Sequence, residues 1–152
     1  YSKINLSLNV NSKLRNGLHE IQSYFCLINL SDKIRIIKNN KKSDQIIFRG
    51  PFAKNIKRNN NSIINLLEKL RKLKLISSYY SVTVTKNIPV FGGLGGGTSN
   101  AAFILKYLLK EKIDNNLLNR LEKIIGSDLR LFFYNQGFLE KLKTIRITKK
   151  KN

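Results

Sequence analysis

Pro89-Val90-Phe91-Gly92-Gly93-Leu94-Gly95-Gly96-Gly97-Thr98-Ser99-Asn100 places five glycines between two segments of opposite periodicity. Upstream, Tyr80-Ser81-Val82-Thr83-Val84-Thr85 alternates apolar and polar residues, as a half-buried strand does. Downstream, Ala101, Ala102, Leu105, Leu108 and Leu109 recur at helical spacing. The stretch therefore reads as strand, loop, helix. Glycine lets consecutive peptide N–H groups converge on an anion, and the helix start adds unpaired N–H groups and the positive end of its dipole. Phosphate is the expected occupant, with Pro89, Gly92, Gly93, Leu94, Gly95, Gly96, Gly97, Thr98 and Ser99 around it. The hydroxyls of Thr98 and Ser99 suit a phosphate oxygen or a Mg²⁺ ion; no other metal site is expected. The P-loop is excluded because no Gly-Lys-Ser/Thr follows, and no window satisfies G-x-G-x-x-G. The competing explanation is a glycine-rich turn that merely packs a helix against a strand. The strand–loop–helix context and the trailing hydroxyls favour phosphate.

Working outward, Ile4 to Val10 alternates as a strand with one face on a core, and Lys33 to Ile37 and Gln45 to Phe48 read as two short strands joined hairpin-fashion by the polar stretch Lys38 to Asp44. Ser62 is a candidate cap for a helix carrying Ile63, Leu66, Leu67, Leu70 and Leu73. A further helix through Leu117, Leu118, Leu121, Ile124 and Ile125 ends at Gly126, and the chain from Leu129 onward looks strand-like, with Leu142 to Ile147 alternating. Strands and helices are mixed without the regular βαβ alternation of a doubly wound sheet, so an α+β layer fold is expected. One domain is predicted over residues 1–148, followed by a basic tail at 149–152. A chain of 152 residues is long enough to bury roughly 70% of its unfolded surface.

Composition narrows the function class less than the motif does. Lys and Arg number 29 against 9 Asp and Glu, a net charge of +20 that attracts polyanions in general. The excess is mostly Lys among abundant Asn and Ile, a pattern that compositional drift on solvated faces also produces. Cys26 is the only cysteine, which excludes an intrachain disulfide, suggests a buried inert thiol and suits a cytoplasmic setting. No apolar run approaches the roughly 18 residues of a membrane span. His19 is the only histidine, so neither a His-based metal site nor a nucleophile–histidine pair is available.

At this point a resemblance becomes specific. Pro89-x-x-x-x-Leu94-Gly95-Gly96-Gly97-Thr98-Ser99-Asn100-Ala101-Ala102 resembles the ATP-binding signature of the GHMP kinases, and the triple glycine is the form typical of their diphosphocytidyl-methylerythritol branch. Ser2-Lys3-Ile4-Asn5-Leu6, Gly17-Leu18-His19-Glu20-Ile21-Gln22-Ser23 and Gly126-Ser127-Asp128-Leu129 resemble three further segments of that branch, in the same order. Together they cover about the first half of a family member, and the family's carboxy-terminal domain is expected to be absent from this chain. The resemblance implies an enzyme with ATP and Mg²⁺ as cofactors, phosphorylating the 2-hydroxyl of a cytidine-diphosphate-linked methylerythritol. In that reading Asp128 is the catalytic carboxylate and Lys3 its cationic partner. His19 and Asn5 are implied substrate contacts. It also implies the family's mixed sheet with helices packed on it, and an apolar face that normally meets the second domain, hence dimerisation or poor solubility.

Leu18 stands where many relatives have a tyrosine that stacks on cytosine, and Arg130 stands where proline is common; Arg130 either alters the Asp128 loop or adds a phosphate contact. Other readings are a GHMP kinase of the homoserine, mevalonate or galactose type, and a basic RNA-binding module of the same fold, which also occurs in ribosomal proteins. The RNA reading is the weaker, because the Lys and Arg residues are spread along the chain and the sharpest motif suits a small phosphate.

Overall fold

In the computed structural model, described for residues 1–13, 19–54, 56–57, 60–140 and 144–146, two sheets and three helices form the expected α+β arrangement. Strands β1 (Ser2–Lys13), β2 (His19–Ile28), β6 (Gln136–Glu140) and β7 (Thr144–Arg146) make a four-stranded sheet in that order, antiparallel throughout. Strands β3 (Lys33–Asn39), β5 (Tyr79–Thr85) and β4 (Gln45–Arg49) make a second sheet, with β5 in the middle. Three helices complete the chain: α1 (Ser62–Lys72), α2 (Gly96–Leu109) and α3 (Asn115–Ile125). Among the described residues no helix is long and apolar enough to cross a membrane.

The second sheet corrects the hairpin expectation. β3 and β4 are not neighbours, because β5 runs between them, antiparallel to β3 and parallel to β4. The polar connection after Asn39 can step across one intervening strand, a span of about 10 Å. The central place goes to the strand with fully buried side chains, Val82 and Val84, flanked by half-buried Ile34, Ile36, Ile46 and Phe48. The α1 helix returns the chain from β4 to β5 as a parallel crossover requires.

One core holds the helices to this sheet. Ile63, Leu66, Leu67 and Leu70 of α1, Ile104 and Leu105 of α2, and Leu121 of α3 pack with Val82 and Val84. Ala101 and Ala102, buried and small, belong to the same core and leave room for larger neighbours. A smaller cluster of Phe25, Leu131 and Leu139 sits under the first sheet.

Local chemistry moves several boundaries. Asn61, rather than Ser62, caps α1: its side chain accepts from the Ile63 and Ile64 amides, both at 3.1 Å. Leu129–Phe133, expected as strand, is a 3-10 turn, opened by Leu129 N–H to the Gly126 carbonyl at 3.1 Å and Leu131 N–H to the Asp128 carbonyl at 3.0 Å. Leu129, Leu131 and Phe132 are all buried there, a spacing that a strand with one buried face does not allow. Within the alternating stretch at 142–147, Thr144–Arg146 is strand; Leu142, Lys143 and Ile147 lie outside the described residues. β1 forms, but its apolar residues Leu6, Leu8 and Val10 are 67%, 55% and 52% exposed, so that face does not lie on the core. Cys26 is half-buried rather than buried.

A single carboxylate joins the two ends of the glycine-rich segment. Asp32, at the approach to β3, forms a buried ion pair with Lys86, their side chains 0% and 4% exposed. It also accepts the amides of Asn87 and Ile88 at 2.8 and 2.9 Å and the side-chain amide of Asn100 at 2.8 Å. Lys86 to Ile88 precede the loop and Asn100 lies near the start of α2, so both ends are fixed to one residue. Removing one partner of a buried pair strands the other charge. Asp32→Ala should lower the unfolding free energy by about 3–5 kcal/mol. Asp32→Leu combined with Lys86→Met should recover part of that loss; denaturant titration of the three proteins checks both.

Candidate functional site

The glycine-rich segment leaves the Thr85 end of β5, turns through Pro89 to Leu94 and enters α2 at Gly96. Gly95 is the N-cap residue, with φ of +67°, in the left-handed region. It has no side chain with which to cap, so the first-turn amides remain available to a ligand. No acidic residue occupies that turn to compete with an incoming anion. The first intrahelical bond runs from the Ser99 amide to the Gly95 carbonyl at 2.8 Å.

The loop borders a cavity of about 570 Å³, a size typical of small-molecule sites. Pro89 and the run from Gly92 to Thr98 contribute to its wall, along with Phe48 and Ile63 from the core side and Lys86 from the buried pair. A Cβ on Gly96 would come within 3.2 Å of the Lys86 ammonium nitrogen, so this cation lies directly behind the loop backbone.

Asp128 sits on the other flank of the same loop. A Cβ on Gly95 would lie 2.9 Å from Asp128 Oδ2 and 2.6 Å from Phe132 Cζ; a Cβ on Gly126 would lie 3.0 Å from Asp128 Oδ1 and 2.9 Å from Thr98 Oγ1. Both positions need glycine for space as well as for positive φ. Burial pushes the Asp128 carboxyl above the usual carboxylate range, opposed by the hydrogen bond from Thr98 and, less strongly, by the charge of Lys3. Lys3 is 9% exposed. Its ammonium donates to Asn5 Oδ1 at 3.1 Å, and its backbone amide donates to the Leu94 carbonyl at 3.0 Å, which ties β1 to the loop.

Lys3, Asn5, Thr98 and Asp128 thus come together from three distant parts of the sequence. Ser99 does not join them: its hydroxyl donates to the Tyr1 carbonyl and its side chain is buried away from the cavity wall. The Thr98 hydroxyl is engaged by Asp128. His19 opens β2 opposite Lys13, but its side chain, with Gly17 and Leu18, lies outside the described residues. Arg130 is engaged within the protein. Its guanidinium is held on α3 by Glu122 at 2.9 Å, Asn115 at 3.0 Å and Asn119 at 2.7 Å. Sequence reasoning missed Lys86 and Asp32. One signal was present: residues 82, 84, 86 and 88 share the buried phase of β5 and its continuation, so a lysine at 86 is a charge aimed inward.

Residues 61–134 match the family description "GHMP kinases N terminal domain". The chain carries a GHMP kinase amino-terminal domain. It is 41% identical over 135 residues to a 4-diphosphocytidyl-2-C-methyl-D-erythritol kinase of Pelagibacter ubique, covering 86% of this chain and 47% of that protein. A solved 4-(cytidine 5'-diphospho)-2C-methyl-D-erythritol kinase superposes with a TM-score of 0.69 at 23% identity, covering 97% of this chain and 53% of the other. Homoserine kinase from Cytophaga hutchinsonii gives 0.63 at 17% identity, covering 83% and 45%. The chain spans about half the length of the curated relatives it matches. In this GHMP domain the glycine loop and Asp128 share Gly95 and Thr98, so the uncapped helix start and the perturbed carboxyl form one unit.

The raised Asp128 pKa has a stability consequence with a definite sign. Between the ordinary carboxylate pKa of about 4 and the raised value, the folded state holds more protons than the unfolded state, so stability falls as pH rises through that window and remains lower above it. Asp128→Asn should therefore unfold at a higher temperature than the parent at neutral pH. Below about pH 4 the difference should close; paired thermal melts across pH check it.

Proposed function

We propose that this chain is the nucleotide-binding half of an ATP-dependent kinase that phosphorylates the 2-hydroxyl of 4-diphosphocytidyl-2-C-methyl-D-erythritol, a step of non-mevalonate isoprenoid biosynthesis. The observation that supports it most is the placing of a partly buried, hydrogen-bonded carboxyl with a nearby lysine against an uncapped glycine-rich helix start. The names carried by the relatives point to the substrate.

In this reading the amides of Gly95 to Thr98 and the positive end of α2 hold the phosphates of ATP, with the Lys86 charge behind them. Asp128 accepts the proton of the attacking hydroxyl, for which a carboxyl pKa moved toward neutrality is better matched than an ordinary one. The hydroxyl oxygen bonds to the γ-phosphorus as the bond to ADP breaks. Lys3 keeps enough of Asp128 ionised to act as base and stabilises developing negative charge. Asn5 fixes the Lys3 ammonium and stands at the substrate side, with His19 as a second substrate contact.

Among the described residues no cluster of His, Cys, Asp and Glu could hold a metal ion alone. Mg²⁺ commonly binds through one or two protein oxygens plus substrate phosphates and water, and the adjacent oxygens of Thr98 and Asp128 fit that role. The ion would supply neutralisation of phosphate charge.

Assayed in the full-length product of the reading frame, Asp128→Asn should cut phosphoryl transfer by about 10²–10⁴-fold with ATP affinity within a few-fold of the parent; undiminished turnover would remove Asp128 from its role. Lys3→Met should move the acid limb of the kcat/KM profile to higher pH, because the charge that lowers the Asp128 pKa is gone. An unmoved limb would contradict the assigned coupling.

A further inference from the structure

Phe91 is placed oddly for its chemistry. It is 90% exposed, more than any other large hydrophobic residue among those described, and its φ is +65°. Residues with a bulky side chain seldom adopt that conformation, which glycine takes up without strain. Core packing does not hold it there, since almost none of its surface is covered. The residues that follow give no support either: Gly92 and Gly93 are exposed, and a Cβ built on Gly93 would meet nothing within 4 Å.

What Phe91 does have is a position on the wall of the cavity. It stands with Val90, Ile56 and Phe48, whereas Gly95 to Thr98 and Lys86, with Asn60, Asn61 and Ser62, belong to the polar part of the lining. A nucleotide has the same two parts, an anionic phosphate chain and a flat aromatic base. An exposed phenyl ring beside a phosphate loop matches the base, and stacking of this kind is insensitive to which base is present.

We propose that Phe91 is a base-stacking residue of the nucleotide site, contacting the purine ring while the loop amides hold the phosphates. The strained backbone is retained for the ring it presents. This rests on the reading that the cavity takes ATP, and the experiment separates the two.

Calorimetric titration of the purified chain with Mg-ATP and with inorganic triphosphate, which lacks a base, is compared between the parent and Phe91→Gly. Melting temperatures are measured without ligand. Failure of the parent to bind either ligand would overturn the nucleotide reading itself. Given parent binding, Phe91→Gly should weaken ATP by about 5- to 100-fold, leave triphosphate unchanged and melt about 2–8 °C higher as the strain is relieved. Phe91→Tyr, which keeps the ring, should retain ATP affinity. Equal ATP affinity in Phe91→Gly, or equal loss of ATP and triphosphate, would overturn the stacking role. A lower melting temperature in Phe91→Gly would show that the ring is structural, and would overturn it too.

Discussion

The geometry of the site depends on the buried contact between Asp32 and Lys86. A loop built from glycine has little intrinsic preference for one shape, and ordering such backbone is entropically costly. Here the cost is offset at the two ends rather than within the loop. Asp32 takes the Lys86 charge, two backbone amides and the Asn100 side chain, so the strand exit and the helix entry are held to a common point. The glycines between are then confined to a few backbone shapes without side chains filling the space that a ligand needs.

The same economy of contacts appears on the Asp128 side. Gly95 and Gly126 lack the Cβ atoms that would strike Asp128, Thr98 or Phe132. The 3-10 turn that carries Phe132 is anchored by Lys106, whose ammonium donates to the Phe132 carbonyl at 2.6 Å. The carboxyl therefore sits partly buried with one hydroxyl donor and one nearby cation, and burial dominates its titration. A carboxyl with its pKa raised this way is costly to the fold at neutral pH, as functional carboxyls often are.

How much of this the sequence revealed follows from whether the relevant forces are local. The strand–loop–helix reading at 80–109 and the amphipathic patterns of α1 and α3 came through because periodicity encodes which face is buried. The place of β5 between β3 and β4 did not, because strand order is decided by the competition for the most buried position, which the short-range hairpin signal cannot represent. Leu129 to Phe133 misled for a related reason: a short apolar run fits a strand or a buried turn, and the hydrogen bonds to Gly126 and Asp128 chose the turn. The proximity of Lys3 and Asp128 came from family resemblance, since nothing in either local sequence links two residues so far apart. Asp32, the residue that organises the loop, looks like an ordinary turn aspartate until its four partners are in view.

The most direct measurement is a crystal structure of the chain with Mg²⁺ and a non-hydrolysable ATP analogue. The account predicts phosphate oxygens within hydrogen-bond distance of the amides from Gly95 to Thr98, with the terminal phosphate on the side of the loop nearest the Asp128 carboxyl. An analogue bound elsewhere on the chain, or bound in the cavity with its phosphates directed away from those amides, would contradict it.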